Sequence, residues 1–90
     1  MNIVWDPDKA SSNFKKHGIR FSDAESAFYD PFALTIEDEG AESEQRFVSL
    51  GIDCLSRILV VVYTYRGEQI RLISARKAEK SEIRSYEKRI

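Results

Sequence analysis

The sequence predicts an α+β fold in a single domain that covers residues 1–90. Helix signals stand at both ends of the chain, whereas the middle holds short runs rich in β-branched and aromatic residues. These runs follow one another through short loops, so we expect an antiparallel β-sheet packed with two N-terminal helices and a C-terminal helix. Ninety residues suffice for one compact core.

The first elements are a short strand over residues 2–5 and a helix that follows it. Asp6 is a good N-cap and Pro7 suits the first turn, while Gly18 is a natural residue for the end of the helix. One polar stripe combines Lys9, Asn13, Lys16 and His17, at positions i, i+4, i+7 and i+8. Ala10 and Phe14 are then expected to face the core.

A second helix is expected after Gly18. The segment Ser22–Glu25 (SDAE) has the form of a capping box, and Ala24, Ala27 and Phe28 give the helix an apolar side. Asp30 and Pro31 should end it. The sequence thus predicts two helices in the N-terminal part of the chain.

The central part of the chain predicts four strands. They cover residues 32–36, 46–50, 57–65 and 69–75, and the acidic stretch 37–44 is expected to be a solvated loop. Val60 to Val62 are apolar in succession, which indicates a central strand that is covered on both faces. A last helix from about Lys77 places Ile83, Tyr86 and Ile90 on one side.

Register brings two arginines together. A hairpin turn at Arg66 and Gly67 would set Val62 opposite Arg71. If Ser49 lies opposite Leu59, Arg46 also lies opposite Val62, so that both arginines flank the central strand on one face. Either a bound phosphate or salt bridges to Glu79 or Glu82 would offset their repulsion.

Charge is unevenly distributed although its sum is only -1. Residues 31–56 carry one basic and six acidic side chains, hence -5, whereas residues 57–90 carry nine basic and four acidic ones, hence +5. The basic third of the chain attracts phosphates or is simply a solvated helix face, and both interpretations remain open.

Several classes of protein are excluded by composition. The single cysteine, Cys54, cannot form an internal disulfide, and with His17 as the only histidine no tetrahedral zinc site of His/Cys type can form. We expect no metal and no cofactor. The N-terminus lacks the pattern of a signal peptide and no apolar run could span a bilayer, so a cytoplasmic protein without membrane contact is expected.

Four segments together resemble the BrnT family of bacterial type II toxins. They are WDPDKASSNFKKHGIRF, EQRFVSLGID, LVVVYTYRGEQIRLISARKA and EIRSYE, which cover nearly the whole chain. The resemblance implies a RelE-like fold and an endoribonuclease that cleaves RNA without metal and inhibits translation and growth. It also implies a BrnA-like ribbon-helix-helix antitoxin as partner in a hetero-oligomer, with DNA contacted only through that complex.

RelE-like ribonucleases use the substrate's own 2′-hydroxyl to attack the adjacent phosphate, which requires cations around the developing charge and groups that move protons. From the resemblance we expect Arg71 and Arg76 to stabilise the charge, and Arg46, Lys16 and Lys77 to bind RNA. His17 is the acid/base candidate, because histidine changes charge near neutral pH, or else it interacts with the helix dipole.

Two further residues have alternative roles. Glu82 acts as the base or orients an arginine, and Tyr86 donates a proton, stacks on a base or belongs to the core. Ser74 is expected to be structural.

Two other functions compete with the ribonuclease. One is a protein-interaction module that binds an antitoxin and co-regulates its operon without catalysis, since a net charge of -1 is low for a protein that grips RNA. The other is a DNA-binding regulator, against which stands the absence of a helix-turn-helix pattern.

Overall fold

The computed structural model describes residues 2–38 and 44–88, and in them the expected α+β class is confirmed. The elements are β1 (Asn2–Val4), α1 (Pro7–His17), α2 (Phe21–Ser26), a 3₁₀ turn (Ala27–Tyr29), β2 (Leu34–Asp38), β3 (Arg46–Ile52), β4 (Ile58–Arg66), β5 (Gln69–Lys77) and α3 (Lys80–Glu87). Residues 39–43 of the expected acidic loop and Ile90 of the expected last helix lie outside the described residues. No described helix is long and apolar enough to cross a membrane.

The sheet has the strand order β1-β5-β4-β3-β2. Strands β2 to β5 form the expected antiparallel meander. The expectation of a purely antiparallel sheet is wrong at β1, which pairs in parallel with β5. The backbone of β1 needs hydrogen-bond partners, and it finds them along the outer edge of the last strand.

One face of the sheet carries the main core. α1, α2 and the 3₁₀ turn cover this face with the buried side chains Ile19, Phe21, Ala24 and Ala27, which meet Leu59, Val61, Tyr63, Ile70, Leu72 and Ala75 of the sheet. Val60 is buried on the opposite face of β4 and Val62 is half-buried there, so the central strand is covered on both sides as expected. α3 lies over that second face, where its Glu82 meets Arg76 of β5.

The ends of α1 follow the local signals. The Asp6 carboxylate accepts a hydrogen bond from the Asp8 N–H at 2.8 Å, and Gly18 ends the helix with φ +71°, a conformation that favours glycine. The expectation that Phe14 faces the core is wrong. Its ring is 45% exposed and lies under the Arg20 guanidinium, 5.3 Å from the ring centroid.

The capping box predicted at Ser22–Glu25 is also wrong. α2 begins at Phe21, and its N-cap, Arg20, makes no side-chain cap bond. Burial of the Phe21 ring moves the start of the helix, because core packing outweighs a cap worth about 1 kcal/mol. A capping box does occur in α3, where Glu79 and Glu82 each accept the other's backbone N–H.

The predicted hairpin register is wrong as well. The turn consists of Gly67 and Glu68, since Arg66 still pairs with Gln69, and a bulge leaves Ile73 unpaired between the pairs of Val62 and Tyr63. Consequently Arg71 lies opposite Thr64, whereas Val62 lies opposite Ser74 and Val48.

The second helix is fixed to the β3–β4 turn by an ionic cluster that the sequence did not predict. Arg57 Nη2 lies 2.7 Å from Asp53 Oδ2 and 3.3 Å from Asp23 Oδ2 of α2. Asp53 is buried, yet hydrogen bonds from Arg57 outweigh the desolvation that would raise its pKa, and the pKa is lowered. This cluster holds α2 against the sheet.

Candidate functional site

The second face of the sheet brings the predicted arginines together. Directly opposed residues share a face. The register places the residues of this face in three rows across the sheet. The first row holds Leu34, Leu50, Val60 and Arg76, and the second holds Ile36, Val48, Val62 and Ser74. The third row contains the pair Asp38 and Arg46 beside the pair Thr64 and Arg71. Arg71, Ser74 and Arg76 therefore point to the same side as Arg46, as the sequence predicted for Arg46 and Arg71, although the pairing partners differ.

Arg76 is held by a carboxylate of α3. Its Nη1 and Nη2 donate to the two Glu82 oxygens, each at 2.9 Å, and Nη1 also reaches the Lys77 carbonyl at 3.3 Å. These hydrogen bonds raise the pKa of Arg76 and lower that of Glu82. Glu82 accepts the Glu79 N–H as well, so the guanidinium is fixed to the start of α3.

Arg71 differs from Arg76 in having no ion pair within the residues that the structure describes. Its side chain is half-buried and makes no hydrogen bond or ion pair within the described ranges, although its backbone pairs with β1 and β4. The salt bridges to Glu79 or Glu82 that could have offset its charge are not formed. Arg71 is thus available to an anionic ligand.

Arg46 lies on the same face but nearer to acidic groups. Its Nε is 3.8 Å from Glu44 Oε1 and, within residues 2–38 and 44–88, is buried without a hydrogen-bond partner. In the sheet it stands opposite Asp38. Its charge is partly offset, and so it is a weaker anion ligand than Arg71.

Lys77 lies at the end of β5, where its side chain is exposed. It pairs with Leu59, whose side chain faces the main core. By alternation along the strand, Lys77 points away from the face of Arg76. The structure therefore separates these two neighbouring cations.

His17 and Lys16 line a cleft of about 270 Å³ between α1 and β5. Its lining residues are Lys9, Ser12, Asn13, Lys16, His17, Ile73 and Ser74. The predicted polar stripe of α1 is confirmed, because all four of its members line this cleft. Ser74 links the cleft to the face that carries Arg71 and Arg76.

Asn13 holds this cleft in place. Its Nδ2 donates to the Ala75 carbonyl at 2.9 Å and to the Ile19 carbonyl at 3.0 Å, while its Oδ1 accepts the Ala75 N–H at 3.0 Å. The side chain thereby satisfies the edge of β5 beyond the point where β1 ends. The sequence signal was an amide within a basic stripe, but its partner, 62 residues away, could not be inferred.

Tyr86 is buried against the 3₁₀ turn region. Its hydroxyl donates to Asp30 Oδ2, which also accepts the Ile52 N–H at 2.9 Å. Burial, together with the Asp30 carboxylate, raises the pKa of Tyr86 to about 12. Although burial alone would raise the pKa of Asp30, its hydrogen bonds lower it. Of the alternatives for Tyr86, this geometry favours the core.

An apolar cleft of about 290 Å³ lies beside α3 on the second face. Leu34, Ile36, Val48 and Leu50 of the sheet line it together with Ser81, Glu82 and Ser85 of α3. Nowhere in the described ranges, this cleft included, do three His, Cys, Asp or Glu side chains cluster as a metal site requires. The second face therefore combines an apolar floor with cations along one side.

Comparison with known proteins agrees with this architecture. The family model for the ribonuclease toxin BrnT of type II toxin–antitoxin systems matches residues 5–82. The 1.1 Å crystal structure of the Brucella abortus ribonuclease toxin BrnT is 28% identical and covers 89% of this chain and 99% of its own, with a TM-score of 0.69. Comparison with curated protein sequences gave no significant match. Because the family model spans most of the chain, the protein belongs to the BrnT family of ribonuclease toxins of type II toxin–antitoxin systems.

Proposed function

We propose that the protein is a metal-independent endoribonuclease that cuts cytoplasmic RNA and so inhibits translation and growth. The observation that carries this proposal is the shared sheet face of Arg71 and Arg76, on which Arg71 has no ion pair within the described residues. Two cations on one face suit a phosphate that gains charge in the transition state. The meander with two N-terminal helices and a C-terminal helix supports our further proposal of a RelE-like fold.

In the proposed reaction the 2′-hydroxyl of the RNA attacks the adjacent phosphorus and the bond to the 5′-oxygen breaks. The products are a 2′,3′-cyclic phosphate and a 5′-hydroxyl. Arg71 and Arg76 stabilise the charge on the phosphoryl oxygens, His17 transfers a proton at one of the two reacting oxygens, and water exchanges the proton at the other. Lys16, Arg46 and Lys77 bind flanking RNA.

Glu82 is proposed to orient Arg76 instead of acting as the base. Its two bonds to the guanidinium hold that group in one orientation, and its lowered pKa makes it a poor proton acceptor. Tyr86 is proposed to position α3 through Asp30, because a phenol whose pKa is about 12 is a poor proton donor near neutral pH.

The proposed partner is a BrnA-like ribbon-helix-helix antitoxin that forms a hetero-oligomer with the toxin and supplies its DNA contact. An antitoxin segment with carboxylates would cover the second face, since this face offers both cations and the apolar cleft beside α3. Expression of the protein alone should arrest bacterial growth, and co-expression of the small protein encoded next to it should relieve the arrest.

The decisive experiment incubates purified protein with RNA in the presence of EDTA. We expect fragments that end in a 2′,3′-cyclic phosphate, and no such fragments from Arg71→Ala at equal concentration. Normal growth at verified soluble expression, or fragments that persist unchanged in Arg71→Ala, would reject the proposal.

A second function is favoured by one observation, the neutralisation of Arg76 by Glu82. It is a non-catalytic module that binds the antitoxin and co-regulates its operon. Under this alternative the purified protein binds antitoxin tightly but leaves RNA intact with or without EDTA.

A further inference from the structure

The cleft between α1 and β5 contains two lysines that the proposed chemical step does not use, beside His17, which it does use. Lys9 and Lys16 are exposed and His17 is half-buried, and none of the three makes an ion pair within the described ranges. We propose that this cleft is a second phosphate subsite, which binds a phosphate of the RNA next to the one that is cleaved. The proposal rests on the ribonuclease function and assigns Lys9 and Ser12 as ligands.

The convergence of these side chains follows from helix geometry. Lys9, Ser12 and Lys16 are spaced i, i+3 and i+7, so they stand above one another on one face of α1. The Asn13 bonds to Ala75 fix this face beside the strand. Three residues that can donate hydrogen bonds, namely Lys9, Ser12 and Lys16, thus line one concave space beside His17.

The charge balance in the cleft favours an anion. The only acidic residue of α1, Asp8, precedes Lys9 directly and therefore points about 100° away from it around the helix. The carboxyl end of α1 carries a partial charge of roughly −0.5, which opposes an anion near His17. Lys9 and Lys16 outweigh this partial charge with two full positive charges.

The cleft meets the second face of the sheet, which carries Arg71 and Arg76, at Ser74. Ser74 lines the cleft and also lies between Arg71 and Arg76 on β5. An RNA strand that presents one phosphate to the two arginines can therefore pass over Ser74 and present its neighbour to Lys9 and Ser12. If the lysines of α1 served only to keep the helix surface solvated, they would not need to line a concave cleft that leads to the two arginines.

The test measures binding of single-stranded RNA with 2′-O-methyl groups, which cannot be cleaved, over a range of salt concentrations. Each lost phosphate contact should lower the slope of log affinity against log salt by about 0.7. Lys9→Gln should show this loss and bind about threefold to tenfold more weakly at 0.1 M salt. The matched control is Lys15→Gln, an exposed lysine of the same helix outside the cleft, which should keep the wild-type slope.

Cleavage of substrates of different lengths separates a subsite from a structural role. Lys9→Gln should slow cleavage of a long RNA but not of a dinucleotide, which has no neighbouring phosphate. Equal slopes for Lys9→Gln and Lys15→Gln, or equal slowing on both substrates, would overturn the subsite. If Lys9→Gln lowers the slope and Lys15→Gln does not, but the wild-type protein cleaves no RNA, the ribonuclease proposal fails while the phosphate subsite stands.

Discussion

Asn13 and Ala75 form a pair in which a side-chain amide takes the place of a neighbouring strand. The Asn13 amide both donates to and accepts from the Ala75 backbone, at 2.9 and 3.0 Å. The pair joins α1 to β5 at the place where the cleft between these two elements meets the second face of the sheet. The position of the proposed site therefore depends on one buried polar residue.

Replacement of Asn13 tests that dependence. Asn13→Ala leaves the Ala75 N–H and C=O and the Ile19 C=O without their partner, which should lower the free energy of unfolding by about 2 to 4 kcal/mol. Urea denaturation monitored by circular dichroism measures the change. Ser11→Ala, an exposed position on the same helix, is the control and should stay within about 0.5 kcal/mol. A stable Asn13→Ala protein would show that the pair is dispensable.

Replacement of Arg71 or Arg76 on the second face should lower activity but hardly change stability. Arg71→Ala and Arg76→Ala should each reduce kcat by about 10² to 10³, because each removes a charge from the transition state. The melting temperature should change little, since Arg71 makes no ion pair in the described ranges and the Arg76–Glu82 pair is partly exposed. Arg66→Ala, at the exposed end of β4, serves as the control. Wild-type rates in both variants would remove these residues from the mechanism.

Glu82→Gln distinguishes an orienting residue from a base. If Glu82 orients Arg76, the amide retains one of the two hydrogen bonds, so kcat should fall about tenfold while the pH dependence of the rate keeps its shape. Cleavage rates from pH 5 to 9 check this. Loss of the limb of the profile that falls at acid pH would instead identify Glu82 as the base.

The Tyr86–Asp30 hydrogen bond predicts an alkaline transition. Because the folded state raises the pKa of Tyr86 from 10.0 to about 12, the resulting stability is complete below pH 10 and is lost as the pH rises toward 12. For Asp30 the sign is opposite: its lowered pKa contributes stability that disappears in acid. Absorbance at 295 nm should show one tyrosine fewer titrating near pH 12 in Tyr86→Phe than in the wild type. A difference centred near pH 10 would contradict the assignment.

Antitoxin binding should respond to charge if the antitoxin covers the second face. Its association rate should fall as salt screens charges beyond roughly 10 Å at 0.1 M, and Arg76→Ala should lower it further. Stopped-flow mixing measures the rate, and RNA should compete with the antitoxin. A rate indifferent to both salt and Arg76→Ala would favour a clamp at a remote apolar surface such as the one around Phe28 and Tyr29.

The limits of α1 were predicted correctly because their causes are local. Asp6 and Gly18 act through bonds within a few residues, so the limits of α1 were predictable. The register of Arg71 was not, because the turn falls at Gly67 and Glu68 instead of Arg66 and Gly67 and so shifts every pair of the hairpin.

In the candidate site, too, some features could be predicted from the sequence and others could not. The shared face of Arg46 and Arg71 was predicted because even spacing on paired strands preserves the face. The contact between Tyr86 and Asp30 was not, since 56 residues separate them and only the packed fold brings them together.

The parallel pairing of β1 with β5 has a consequence for synthesis of the chain. Asn2 is synthesised well before its strand partner Gln69, which belongs to β5. An N-terminal fragment on the ribosome has neither this partner nor Arg71 and Arg76, and the exposed backbone of β1 remains unpaired. The sheet, and the face that carries Arg71 and Arg76, can therefore be completed only after β5 has been synthesised.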